Sequence, residues 1–380
     1  MGLPECKITQ ICSYGGKCLT LQRNDMKFVR GILLIINVVL AAGLLVSTLA
    51  GAVSPSVNIW PSLVAFGFLP LWLANVAMVV VWGLMRRWEA LISVAVLAAR
   101  WGMVGLFVQV PGLGGRPKAE EGATEVKVMA YNVHQFRGRG AVDRALDSIT
   151  CGFIDLVDEQ QPDVMCLQEF ALARGVSVVD SLIVRGYNHY YGTYHTAKGA
   201  PYGTVVFSKL PITYVRRLDR EKVLVELMHE AGSFRVCAVH VGSYHFEEAD
   251  YKEIDQAMHG AATSSIRRTL GKVKRTVLVH ERTWTQQLRA VVEECSVPLV
   301  VAGDMNDVAS SWFYHQLSRH LTDTYCERGQ GMGITYNGGF PQYRIDMIFH
   351  SQQMRALEHR RLKSDLSDHY PVVATLEFLP

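Results

Sequence analysis

Residues 362–378 read LKSDLSDHYPVVATLEF. The second half, PVVATLEF, is an apolar run of the kind that forms a strand closing a domain. The first half sets Ser367, Asp368, His369 and Tyr370 directly before that strand, where a plain turn would suffice. An Asp-His pair abutting an apolar strand is either a capped turn or one corner of an active site, and the rest of the chain has to decide between them.

Upstream, short β-rich runs recur as VKVMAYNV, DVMCLQEF, GTVVFSKLPI, FRVCAVHV, PLVVAGDMN and RIDMIFHS. Helical patterns lie between them, notably over 142–160 and 249–295. Strands outnumber helices and their spacing is too irregular for repeats. The pattern predicts an α/β domain in which two packed sheets carry helices on the outside, rather than a strictly alternating parallel sheet.

The polar residues fall where chemistry would need them. Apolar strands end in Asn132, Glu169, His240, Asp304 with Asn306, and Asp346, while Asp368 and His369 precede the last strand. Neighbouring strand ends of a sandwich converge on one rim, so these residues can share a pocket. Carboxylate and amide oxygens without cysteine suit Mg²⁺ or Mn²⁺ better than Zn²⁺. The set reads as metal-assisted attack of water on a phosphate ester. Singly, each has a plainer reading: Asn132 as a turn residue, Glu169 as a solvent-facing acid, His240 as a core histidine, Asp304 as part of a tight turn in GDMND. Asp346 is harder to dismiss, because an acid flanked by apolar strand residues is buried and needs a partner. His369 is the natural one.

The chain has 380 residues, a hydrophobic fraction of 49% and a net charge of +3, with a mean hydropathy of +0.13. The apolar excess sits in the first third. Residues 31–53 contain no charge and are long enough to cross a bilayer, which takes about 20 residues. Residues 61–85 are equally uncharged and carry Trp at both ends; residues 88–110 form a third apolar stretch that contains Glu89 and, near its middle, Arg100. An arginine there costs about 2.5–3.5 kcal/mol on insertion scales unless it snorkels or pairs. Three spans are expected. Lys27 and Arg30 before the first, and Arg86 and Arg87 between the second and third, place the N-terminus in the cytoplasm and everything after Val110 outside it. A third segment lying on the surface would instead leave the domain cytoplasmic. The organisation expected is a tail over 1–25, disordered or untranslated because MKFVRG from Met26 reads as a natural start, a membrane region over 26–110, a Gly/Pro-rich linker over 111–125, and a globular domain over 126–380. Eight cysteines without a CxxC pair support neither a metal cluster nor a disulfide framework, and Cys166 and Cys237 read as buried thiols.

The ordered set YNV, LQE, AVHV, GDMND, RIDMIF and SDHYPV resembles the endonuclease/exonuclease/phosphatase superfamily, with its DNase I-like nucleases, abasic-site endonucleases, neutral sphingomyelinases and inositol polyphosphate 5-phosphatases. The resemblance runs from about Val126 to the C-terminus. The apolar front third, with GITYNGGFPQYRIDMIF and LSDHYPVVA, is similar to membrane-anchored bacterial members of Bacteroidetes type, which implies the inner membrane as location. It implies a DNase I-like β-sandwich and the following roles. Glu169 is the principal metal carboxylate, with Asn132 beside it and Asp368 as a further or water-bridged ligand. Asp304 orients or deprotonates the attacking water, and Asn306 holds a phosphate oxygen. His240 and His369 stabilise the pentacovalent phosphate, and Asp346 fixes the tautomer of His369. Tyr202 in PYGTVVF lies near the phosphate or simply packs. The ion expected is Mg²⁺ or Mn²⁺.

Three functions compete. A membrane-anchored phosphodiesterase acting on a lipid head group fits the spans and the balanced charge. A tethered DNA or RNA nuclease would want a basic stripe, for which Arg267, Arg268, Lys272, Lys274, Arg275 and Arg282 are the candidate, though they equally form a solvated helix face or meet anionic lipids. An inactive binding module would not need every position filled. No protein partner is evident from the sequence.

Overall fold

The computed structural model describes residues 23–110, 124–138, 146–197, 200–243, 263–338 and 342–380. Most of the expected tail and linker, at 1–22 and 111–123, lies outside them. The strands are β1 (Val108–Gln109), β2 (Glu125–Asn132), β3 (Val164–Ala171), β4 (His189–Ala197), β5 (Ala200–Ser208), β6 (Ile212–Arg217), β7 (Lys222–His229), β8 (Gly232–His240), β9 (Leu299–Asp304), β10 (Thr322–Asp323), β11 (Gly331–Met332), β12 (Asp346–His350), β13 (Met354–Arg361) and β14 (Val372–Phe378).

Two six-stranded sheets stack face to face, in the orders β13-β14-β2-β3-β5-β4 and β10-β12-β9-β8-β7-β6. Each has a parallel pair at its centre, β2 with β3 and β8 with β9, flanked by antiparallel neighbours. Helical segments make the two crossovers, as parallel pairing requires: Leu146–Gln160 in one, and Thr263–Thr283 running through a π turn into Arg289–Glu293 in the other. The expected helices over 142–160 and 249–295 are thus present in their described parts.

Side-chain alternation along the strands divides the core into layers. Val126, Val128, Ala130, Val236, Ala238, Val300, Ala302 and Ala374 fill the space between the sheets. Met129, Tyr131, Met165 and Leu167 face outward onto Phe153 of the first crossover helix and Phe170. Cys237, Val239, Val301 and Met347 face Trp284, Leu288 and Phe313 on the opposite side. Central strands are buried on both faces, which is why they read as continuous apolar runs. Cys166 and Cys237 are buried thiols, as expected.

This topology fixes where the site must be. Strands β2, β3, β8 and β9 run in one direction and bring their carboxyl ends to one rim, while the antiparallel β12 and β14 begin there.

The apolar front third differs from three clean spans. Helix Arg23–Thr48 continues through a 3-10 turn, and Lys27–Gly51, with a mean hydropathy of 2.6 over its most apolar window, is the one helix among the described residues long and apolar enough to cross a bilayer. The second segment breaks at Phe66 and Gly67 into Trp60–Ala65 and Phe68–Leu84. Pro70 explains the restart, since a residue without an N–H is tolerated only in a helix's first turn. The third breaks at Arg100 into Ala90–Ala99 and Trp101–Val104. Buried polar groups tie the segments together. Arg30 donates to Glu89 at 2.6 Å, and Ser93 Oγ lies 2.5 Å from Asn37 Oδ1 and 2.9 Å from Asn75 Oδ1. Such bonds between apolar helices are the kind that hold membrane bundles together.

The helices are docked against the globular domain. β1 pairs with β11, Ser310 Oγ donates to Ala65 O at 2.9 Å, and Glu281 accepts from Ser56 N at 3.0 Å and from Ser54.

Candidate active site

The strand register lines up three of the candidates. His240 pairs with Asp304, and Asp304 pairs with Asp346, so three adjacent strand ends present their side chains in a row. Gly303 makes this possible. Its φ is +144°, and a Cβ there would stand 2.0 Å from Val239 O, so only glycine lets β9 approach β8 just before Asp304.

His369 arrives from the segment before β14. Its Nδ1 donates to Asp346 Oδ2 at 2.9 Å, which is the partnership expected of a buried acid. Ser367 Oγ donates to Asn132 O at 2.8 Å and receives His369 N at 3.2 Å, so it fastens the corner to the end of β2. The segment is therefore both a bonded turn and a wall of the rim.

Asp304 is the hub. Its Oδ2 accepts from Asn132 Nδ2 at 3.0 Å and Asn306 Nδ2 at 3.2 Å, and its Oδ1 accepts from Asn306 N at 2.8 Å. The Nε2 atoms of His240 and His369 flank Oδ2 at 3.7 and 3.9 Å. Burial, then the neighbouring Asp346, push the Asp304 carboxyl up to about 6. Burial acts to lower His369, but Asp346 and Asp304 outweigh it and raise the imidazole to about 10.

Glu169 is reached through a bulge. The β3–β5 register slips between Leu167 and Phe170, and Glu169 sits at φ +52°. Burial raises its carboxyl, but the charges of His240, His134 and His369 prevail and hold it below its ordinary value. The described hydrogen bond to its carboxylate is a long one from Gln135 at 3.3 Å. Of the seven non-glycine residues with positive φ among those described, His134, Gln135, Phe136, Glu169 and Asn306 belong to this rim. Each such conformation costs about 1–3 kcal/mol and persists where surrounding structure enforces it, which is common at functional sites.

Tyr202 stands on β5 with its ring 4.5 Å from that of His195, and burial, then the charges of Glu169 and Glu221, raise its phenol. Asp368 stands 3.4 Å from His134 Nδ1. All nine candidates therefore collect at the rim. One expected contact is already spent: Asn306 Nδ2 gives its hydrogens to Val241 O at 2.9 Å and to Asp304, so this amide braces Asp304. Holding a phosphate oxygen would require it to release a partner.

The sequence reading missed four rim residues. His134 and Gln135 follow Asn132 directly, and extending the strand-end rule by a few residues would have found them. Glu221 lies 3.8 Å from His240 Nδ1 and 3.4 Å from His195 Nε2, pinned by its own carbonyl to His240 N. Its DREK context looks like an ordinary solvated turn, and His195 lies on an edge strand, so neither carried a signal.

The donors fit a hard divalent cation. Among the described residues, Asp304, Asp346 and His369 bring metal-capable atoms within 4.8 Å of one another. Asp346 Oδ1 there is buried without a hydrogen-bond partner among the described residues. Asn132 and Glu169 add oxygen donors at the same rim: with Nδ2 committed to Asp304, Asn132 turns its carbonyl oxygen away, where it accepts from His134 N at 3.0 Å.

In the roles that the resemblance implies, Asp304 would have to be ionised to accept a proton, whereas His369 would have to keep its proton to offset phosphate charge. Hydrolysis is therefore expected to rise with pH through about 6 and fall again near 10. A rate flat across about pH 5–7 would remove Asp304 from the role of base.

Residues 129–369 match the model of the Endonuclease/Exonuclease/phosphatase family, and residues 30–107 match one described as a domain of unknown function. No curated protein matches the chain. Among solved structures, it is similar to an endonuclease/exonuclease/phosphatase from Beutenbergia cavernae DSM 12333 at 21% identity, covering 67% of this chain and 72% of that one, with a TM-score of 0.48. One from Bacteroides vulgatus matches at 16% identity, covering 67% and 99%, with a TM-score of 0.46. The human Nocturnin catalytic domain with bound sulfate anion matches at 17%, covering 67% and 94%, with a TM-score of 0.45. The family match spans every strand-end motif from Asn132 to His369, and the chain belongs to the endonuclease/exonuclease/phosphatase family of metal-dependent phosphoester hydrolases.

Proposed function

We propose that the protein is a membrane-anchored phosphodiesterase that hydrolyses lipid head groups. The observation that carries this reading is the bond from Ser310 to Ala65. Ser310 belongs to the loop that bears Asp304 and Asn306, and Ala65 lies at the domain-facing end of the apolar helices. Tyr343, directly before the buried Arg344 and three residues before Asp346, packs edge-on against Phe66. The catalytic rim is thus built next to the place where head groups would lie.

Three apolar segments in a bilayer, with Arg30, Arg86 and Arg87 at the end away from the domain, would leave the N-terminus cytoplasmic and the catalytic domain outside. Membrane lipid is then both surroundings and substrate.

In the reaction, Glu169, Asn132 and Asp368 would hold Mg²⁺ or Mn²⁺, which neutralises phosphate charge and acidifies water. Asp304 orients the attacking water and takes its proton, braced by Asn132 and Asn306. His240 Nε2 is buried without a hydrogen-bond partner among the described residues and would be able to donate to a non-bridging phosphate oxygen. His369, charged and held by Asp346, offsets the negative charge of the pentacovalent phosphate and can protonate the leaving oxygen.

A nuclease is the second reading, supported by exposed Lys274, Arg275 and Arg282 on helix Thr263–Thr283; Arg267 and Arg268 lie outside the residues whose side chains are described. The test offers the full chain in detergent a panel of phospholipids and sphingolipids beside plasmid DNA and RNA, with Mg²⁺, Mn²⁺ or chelator. Metal-dependent head-group release without DNA nicking is expected. Glu169→Gln should lower it by about 10²–10³-fold, the scale of one lost electrostatic contact to the transition state. Nicking alone would move the protein to the nucleases.

A further inference from the structure

Arg100 does not sit in the middle of a span. It ends helix Ala90–Ala99 and lines a cavity of about 530 Å³ at the seam between the apolar helices and the catalytic domain. That volume is in the range of small-molecule sites. The end of the first helix contributes Gly51, and helix Trp312–Ser318 contributes His315. A Cβ on Gly51 would come within 3.0 Å of the His315 ring, so the two walls meet closely at this edge.

The charges in the walls do not balance. Asp323 is fully answered, by Arg344 at 2.8 Å, Tyr314 Oη at 2.8 Å and Tyr325 N at 2.9 Å. Arg100 is not: its Nε is buried and has no hydrogen-bond partner among the described residues. Beside it the lining is apolar, with Met103 and Leu106. A half-buried guanidinium whose Nε is left without a partner, next to apolar surface at the end of an apolar helix, is the chemistry that receives a phosphate on an amphiphile.

We propose that this cavity binds a phosphate anion, with Arg100 as its cationic contact, at a site separate from the catalytic rim. The phosphate can come from a phospholipid of the surrounding leaflet or from solution, and the lipid source rests on the membrane placement proposed above.

The full chain is placed in nanodiscs of phosphatidylcholine alone, of phosphatidylcholine with phosphatidylglycerol, or of phosphatidylcholine with inorganic phosphate in the buffer, and its melting temperature is read. A ligand that binds only the folded state raises that temperature. Wild type is expected to gain several degrees from phosphatidylglycerol, Arg100→Lys to keep most of the gain, and Arg100→Gln to lose it while still hydrolysing a soluble phosphodiester at the wild-type rate. A gain from inorganic phosphate that Arg100→Gln also loses would support the site and assign it to a soluble anion. An Arg100→Gln variant that responds like wild type, or a wild type that responds to neither, would overturn the proposal. Should Arg100→Gln not fold, phospholipid phosphorus retained per purified chain, compared between wild type and Arg100→Lys, decides: none retained by wild type and no response to phosphate overturns it. Liposome flotation of wild type tests the membrane placement separately; if it fails, the inorganic phosphate comparison in detergent still tests the cavity.

Discussion

Replacing His369 by alanine is expected to lower hydrolysis by about 10²–10⁴-fold, the usual contribution of a positioned acid or base. It should also destabilise the fold, because Asp346 would lose the donor at 2.9 Å and remain buried as an unpaired carboxylate. Removing one member of such a pair typically costs about 3–5 kcal/mol. The two effects separate in the double variant. Asp346→Asn with His369→Ala removes the stranded charge and should recover part of the melting temperature while activity stays as low as in the single variant, since the pair acts as a unit. A His369→Ala enzyme that turns over like wild type would remove the imidazole from the mechanism. The pair also predicts a pH dependence of stability. The folded value of His369 is raised to about 10 from an ordinary value near 6.5. Its stabilisation is therefore fully present below about pH 6.5 and is lost as pH rises toward 10.

Gly303→Ala is expected to abolish folding of the catalytic domain. The added Cβ would lie 2.0 Å from Val239 O and 2.9 Å from Gln168 Nε2, and the first of these is backbone in the middle of a sheet. It cannot yield without breaking the β8–β9 ladder, so the cost should exceed about 4–5 kcal/mol, the range in which single substitutions become exceptional. Gly186 is the control. It also has positive φ, +91°, but an added Cβ meets nothing within 4 Å. Gly186→Ala should therefore show only backbone strain of about 1–3 kcal/mol. Thermal melts of the two variants check this: a Gly303→Ala protein that melts within a few degrees of wild type would refute the close approach of β8 and β9.

The central strands were legible because they are buried on both faces and had to be apolar throughout. The longer strands that the listed runs leave out are β4, β6 and β13, each at a sheet edge, and β7, which lies inside its sheet next to the edge strand β6. Edge strands carry charge and polar groups that discourage pairing with other chains, as in ITYVRR and MRALEHRR, and so do not read as strands. The site was legible for a related reason. A polar side chain ending an apolar strand has little room for other purposes, and Asp346 needed a partner wherever it lay. Glu221 and His195 could not be found this way, because nothing local in a charged turn or an edge strand says which rim it will face. In GDMND the turn chemistry and the placement of Asp304 at the rim are one feature, since the positive φ of Gly303 and Asn306 brackets it. The three expected spans rest on run length and apolar character, which do not register the restart at Pro70 and show Arg100 as a costly charge rather than as the end of a helix.

The docking of the globular domain before the linker begins has a kinetic consequence. β1 fastens the chain to β11, while Glu281 grips Ser54 and Ser56. On the proposed membrane reading, the enzyme would not sweep a volume at the end of a leash but would stand at one height and tilt over the lipid surface. Encounter with substrate would then be a search in two dimensions, governed by the mole fraction of substrate in the leaflet rather than its molarity. Adding inert lipid at constant total substrate would slow the reaction.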